Sequence, residues 1–190
     1  MKRLFVLATA VLIAAAGGLA PTASARTNAP FCGITWGSLP KANPDYTTAP
    51  ITNLRAGRHE CWDRLVVDLD APPPDVPAAG SGYDVRYVDQ VTEDASGDPV
   101  PLAGGAFIQV VVHAPTHDID NGEPTYNPPD ELHAVNVSRF STFRQVAIVS
   151  DFEGVSTIGL GVRARLPFRV FVLAGPGSGS RLVIDVAHRW

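Results

Sequence analysis

From residue 51 onward, apolar residues recur at every second position in short runs broken by glycine, proline and asparagine. Tyr83, Val85 and Tyr87 alternate with Asp84, Arg86 and Val88. A period of two places successive side chains on opposite faces of an extended chain, so such runs predict half-buried strands. The pattern predicts strands over 51–54, 65–69, 83–88, 106–113, 143–151, 155–162, 168–173 and 181–187. The run 106–113 is almost wholly apolar and is expected at the centre of a sheet, covered on both sides. Residues 131–141 are ambiguous and allow a short helical turn. No stretch repeats its apolar residues at helical spacing, which excludes a run of βαβ units. The expected fold is all-β, a mostly antiparallel β-sandwich of about eight or nine short strands.

One strand is written nearly twice. Arg64-Leu65-Val66-Val67-Asp68-Leu69 returns as Arg181-Leu182-Val183-Ile184-Asp185-Val186. In each copy Arg and Asp stand four apart and share a face. An ion pair on the strand surface is the expected role of these groups.

The segments between strands read as turns and loops. Residues 37–50, with Pro40, Pro44 and Pro50, read as an extended connector. Residues 55–63 read as a hairpin turn around Gly57, and 93–99 as a turn at Gly97. Residues 71–82 read as a surface loop, and 114–130 form the longest irregular stretch, a length often functional in compact domains.

The first residues read as an export signal: basic Met1-Lys2-Arg3, an apolar run from Leu4 to Ala16, and Ala23-Ser24-Ala25 before the expected cut. The apolar run is shorter than a membrane span requires, and no lipobox precedes Cys32. The expected organisation is a signal peptide over 1–25, an N-terminal arm and linker over 26–50, and one β domain over 51–190. The expected location is extracellular, with possible attachment to the wall and no stable membrane insertion. Cys32 and Cys61, an even count in an exported chain, are expected to form a disulfide. For a loop of that length the stabilisation is about 3 to 4 kcal/mol.

Charge narrows the partners. The chain has 15 basic and 19 acidic residues; loss of Lys2 and Arg3 leaves 13 against 19, a net charge of −6. Nucleic acid is therefore not an expected partner, and any glycan binding is expected to be weakly salt-sensitive. Lys41 is the sole lysine after residue 25, whereas Arg, Ala, Gly, Pro and Val abound, which points to a GC-rich bacterial genome.

Candidate chemistry is sparse. His113, His117, Asp118 and Asp120 have the spacing of metal ligands on a helix, but Pro115 and the preceding strand oppose that geometry. Asp118, Asp120 and Glu123 around Gly122 only partly match a calcium loop. Neither metal nor cofactor is expected. Asp151 and Glu153, two apart, stand roughly 7 Å from each other on an extended strand, within reach of the carboxylate spacing of glycosidases. Gly159 and Gly161 on one strand face make room either for a ring such as Phe168 or Phe171 or for an extended ligand. Trp36, Tyr46, Trp62, Tyr87 and Tyr126 lie in or near polar stretches, where exposed rings suit sugar faces. No nucleophile elbow, phosphate loop or dinucleotide fingerprint is present.

Several ordered segments together carry a resemblance. They include Cys32-Gly33-Ile34-Thr35-Trp36-Gly37, Gly57-Arg58-His59 through Cys61, and Asp63-Arg64-Leu65-Val66-Val67-Asp68. They continue with Phe143-Arg144-Gln145-Val146, Phe152-Glu153-Gly154, Gly159-Leu160-Gly161, Pro167-Phe168-Arg169-Val170-Phe171 and Arg181 to His188. In these the chain resembles the AMIN-like domain proteins of actinobacteria. The resemblance implies kinship with the AMIN domain, a β-sandwich module of periplasmic amidases and secretins that localises them by binding peptidoglycan or envelope proteins. The expected function is then a secreted, non-catalytic binding module of the cell envelope. Its expected partner is cell-wall glycan or another envelope protein. Trp36, Trp62, Tyr126, Arg144, Glu153 and Arg163 are the candidate ligand-binding residues. The alternatives are a protein-interaction module working by strand addition or through the Gly159/Gly161 face, and a hydrolase using Asp151 and Glu153.

Overall fold

A computed structural model describes residues 29–46, 49–71 and 82–190. The expected signal peptide and most of the 71–82 loop lie outside the described residues. Among the described residues eleven strands form: β1 (Lys41–Asn43), β2 (Ile51–Arg58), β3 (Trp62–Leu69), β4 (Tyr83–Val88), β5 (Val91–Thr92), β6 (Pro99–Val100), β7 (Ala106–Val112), β8 (Phe143–Phe152), β9 (Val155–Val162), β10 (Phe168–Ala174) and β11 (Ser180–Ala187). The first sheet runs β1-β4-β7-β9-β8 and the second β10-β11-β3-β2, with β5-β6 as a small separate hairpin. Every pairing is antiparallel. The fold is the expected all-β sandwich.

Alternation places the core between the sheets. Leu65 and Val67 of β3, with Leu182, Ile184 and Val186 of β11, face Ile108, Val110 and Val112 of β7 and Ile158, Leu160 and Val162 of β9. All of them are fully buried. Each such side chain contributes about 1.5 to 3 kcal/mol through burial. The strand β7 is central in its sheet; its inner face is buried, while Phe107, Gln109 and Val111 on the outer face are half-buried.

Three short strands were not expected, although the turn at Gly97 forms where it was predicted. The three residues of β1 pair with β4 inside the presumed connector, and β5 and β6 flank Gly97. The turn expected around Gly57 lies further on. Gly57 is paired with Arg64 inside the β2–β3 ladder, and the reversal occurs at 59–61, where His59 N–H donates to the Trp62 carbonyl at 2.9 Å. The ambiguous segment does hold a helical turn, Glu131–His133, capped by the Asp130 carboxylate.

The two glycines of β9 accommodate neither a ring nor a ligand. The chain's own segment before β7 crosses this face. A Cβ on Gly159 would stand 2.7 Å from Leu102 Cδ1, and one on Gly161 would meet the Ala103 carbonyl. Gln145 fixes the crossing by accepting from Ala103 N–H at 2.8 Å. Asp94 fixes the approach by accepting from Ser150 and Thr157.

The repeated strands pair with each other. Antiparallel register sets Arg64 opposite Asp185 and Arg181 opposite Asp68.

Candidate functional site

The strands define two ends of the sandwich. At one end lie the close of β2, β9 and β11 and the start of β3, β8 and β10. The N-terminal arm folds onto this end. Phe31–Gly33 forms a single 3-10 turn, and Cys32 is disulfide-bonded to Cys61 with Cα atoms 6.3 Å apart. The arm is then fastened to β10, where Phe168 N–H donates to the Gly37 carbonyl at 2.8 Å. These two ties place Trp36 edge-on to Trp62, ring centres 5.7 Å apart, while His59 stacks on Trp62 at 5.3 Å.

Beneath the rings is an ion cluster. Asp185 is fully buried and accepts from Arg64 at 2.6 and 2.8 Å and from Arg169 at 2.9 Å. The Arg169 guanidinium lies 4.4 Å from the Trp36 ring centre and 5.4 Å from that of Trp62. Hydrogen bonding to Asp185 raises the Arg64 pKa further above its usual range, against the opposing effect of burial. A carboxylate taken from water needs such saturation to remain charged.

A second buried carboxylate joins the sheets. Asp63 accepts from the Thr142 and Phe143 N–H groups at the start of β8 and from His188 Nε2 at 3.1 Å. Around it the end is rich in arginine. Arg144 holds the carbonyls of Phe140, Ser141 and Phe143, and Arg163 donates to the His188 carbonyl. Arg165 donates to Ser38 and lies 4.9 Å over the Tyr87 ring.

This double sheet, closed at one end by a pinned arm, spans the region matched by a single profile: the AMIN-like domain profile fits residues 49–188. The chain belongs to the AMIN-like domain family. Membership points to an envelope-associated, non-catalytic binding module. No curated protein and no solved structure matched the chain. No helix among the described residues is long and apolar enough to cross a membrane.

Of the six candidate binding residues, this AMIN-like domain brings four to one end: Trp36, Trp62, Arg144 and Arg163. The two tryptophans are half-buried, and the two arginines are exposed. Tyr126 stands apart. It packs against the core beside Ala134, and burial pushes its phenol pKa up. Glu153 lies at the opposite end, in the two-residue β8–β9 turn. Glu153 and Gly154 both have positive φ there, and Tyr46 donates to their carbonyls.

Asp151 belongs to that opposite end as well. Its Oδ2 accepts from Thr116 N–H, Thr116 Oγ1 and His117 Nδ1, which ties the 114–130 loop to β8. His113 is bonded instead to the Asp45 carbonyl, and Asp118 caps its own turn. Among the described residues no three His, Cys, Asp or Glu side chains gather as a metal site requires. Sequence reasoning missed Arg169 and the Asp63–His188 pair. The only signal for Arg169 in the sequence was a charged residue inside the otherwise apolar run 168–173.

Proposed function

We propose that the chain is a secreted, non-catalytic module of a bacterial envelope, binding peptidoglycan or another wall polymer. The AMIN-like match over residues 49–188 carries this reading. The Cys32–Cys61 disulfide supports an oxidising compartment, and residues 1–25 are assigned as the export signal. The ligand end is the one formed by Trp36, Trp62, Arg144 and Arg163, where ring edges and guanidinium donors stand together. The non-catalytic reading is supported by Asp151, whose Oδ2 is taken by Thr116 and His117, and by Glu153, which is exposed on a turn.

Co-sedimentation of the purified oxidised protein with cell-wall sacculi tests the reading. Saturable pelleting is expected. Its absence at both low and moderate salt would overturn it. The result would then favour the alternative, a protein partner added as a strand. The edge strand β10 supports that alternative, since among the described residues it borders no strand on its outer side, and it exposes Leu173. Capture of a partner from culture supernatant would test it.

A further inference from the structure

The acidic balance of the chain conceals a polar distribution of charge. Arg58, Arg139, Arg144, Arg163, Arg165 and Arg189 all stand at the end closed by the arm, and all six are exposed. Among the described residues none of the six has a carboxylate within ion-pair distance. Their bonds go to neutral groups instead: Arg58 to the Arg139 carbonyl, Arg144 to three carbonyls, Arg163 to the His188 carbonyl and Arg165 to Ser38. On the sheets, by contrast, Arg55, Arg64, Arg86 and Arg169 are each paired with an aspartate.

The carboxylates of the arginine end are few. Glu60 and Asp89 are exposed there, Asp63 is buried and engaged by His188, and Asp130, paired with His133, and Glu131 stand close by on the turn that Gln145 holds. The opposite end carries Asp45, Asp70, Asp118, Asp120, Glu123 and Glu153.

Hydrogen bonds tie parts of this end together. Arg163 N–H donates to the Thr142 carbonyl at 2.9 Å, and the Trp190 indole donates to the Arg165 carbonyl at 3.0 Å. At this end Asn136, Ser138, Arg139 and Phe140 line an open groove of about 440 Å³. Arg144 borders it through its bond to the Phe140 carbonyl. Guanidinium groups gathered at one end without counter-ions set up a positive potential there, which an incoming oxyanion neutralises. Their planar forks match carboxylate and phosphate oxygens. The groove adds a ring face, an amide and a hydroxyl, the groups that recognise a sugar.

We propose that this end binds an acidic polysaccharide of the envelope. Arginine forks take its carboxylate or phosphate groups, and one sugar ring sits in the groove beside Phe140. A uniformly and densely charged polymer such as nucleic acid would be repelled by the acidic remainder of the chain, which leaves the whole at a formal net charge of −4 even with these six arginines counted. A sparsely charged glycan engages one end without meeting the other. The proposal rests on the envelope reading and names its ligand chemistry.

Affinity electrophoresis of the full oxidised chain through gels containing polygalacturonate, phosphorylated dextran or neutral dextran provides the test. Retardation is expected in at least one acidic gel, with none in neutral dextran, and should weaken as salt rises. The double variant Arg139→Gln/Arg163→Gln should bind about tenfold more weakly. Arg58→Glu should weaken binding as well, whereas Arg86→Gln, on the outer sheet face, should not. Thermal unfolding matched to the parent protein shows that the variants fold. Equal retardation by neutral dextran, no retardation in either acidic gel, or unchanged affinity in the double variant would overturn the proposal. Tighter binding to a 20-base-pair DNA or to phosphatidylglycerol vesicles would do the same. Sacculus pelleting separates the two levels. If parent and double variant pellet alike, the arginine assignment falls and the envelope function stands. If the parent does not pellet at all, the envelope function itself falls.

Discussion

The two ends of the β3–β11 pair begin from nearly identical residues and reach different outcomes. Register offers each end the same Arg–Asp couple across the ladder. At one end Arg64 takes Asp185 in a two-pronged bond, Arg169 joins from β10, and the aspartate is fully buried. At the other end the couple does not form. Asp68 is taken by Arg55 of β2 at 2.8 and 2.9 Å, and Arg181 turns to the Ala174 carbonyl, leaving its buried Nε without a partner among the described residues. Register decides which groups stand opposite each other. The flanking strands and the cover above them decide which groups bond. The buried end has Trp36, Trp62 and Phe171 over it, and the other end has none of these.

The largest effect should come from removing the buried anchor. Asp185→Ala leaves two guanidinium groups facing a gap and should cost about 3 to 5 kcal/mol in urea unfolding. A cost below about 1 kcal/mol would mean that both arginines relax freely into water and that the two ends are equivalent after all. Next, Cys32→Ser/Cys61→Ser frees the arm that carries Trp36. A loss of about 3 kcal/mol is expected, together with a change in tryptophan emission as Trp36 leaves Arg169. Unchanged emission would show that the Phe168–Gly37 tie holds the arm unaided.

The next comparison uses the same residue in both copies. Arg64→Met should cost about 2 kcal/mol, because Asp185 loses a bidentate partner. Arg181→Met should be neutral or stabilising by up to about 1 kcal/mol, because it removes an unsatisfied buried donor. Equal costs would erase the distinction. The smallest effect belongs to Asp68→Asn, whose ion pair is partly exposed and should be worth about 0.5 kcal/mol, fading further in salt.

The same contrast explains how much was legible beforehand. Strands with long alternating runs, such as 155–162 and 181–187, could be read because each residue's side is fixed by period two. The strands β1, β5 and β6 have two or three residues, too few for any period to show. Gly57 suggested a turn, yet it is an ordinary ladder position where no side chain is required. The glycines of β9 correctly signalled a close approach. What approaches, Leu102 and Ala103, comes from an irregular segment with no pattern to read. At the candidate site Trp36 and Trp62 were recognisable by residue type. Arg144 and Arg163 were named as well, but Arg169 and the gathering of unpaired arginines at one end were not legible, because pairing is a matter of neighbours in space and a summed charge averages both ends.

The position of β11 has a consequence in time. It lies between β10 and β3, so β3 waits for a neighbour more than a hundred residues later in the chain. Until that strand emerges, β2 and β3 form an isolated hairpin, which is marginal in water. A chain assembled in this order stays unclosed through most of its synthesis. Under the export proposed above, late closure keeps the chain threadable until nearly its whole length is available to cross.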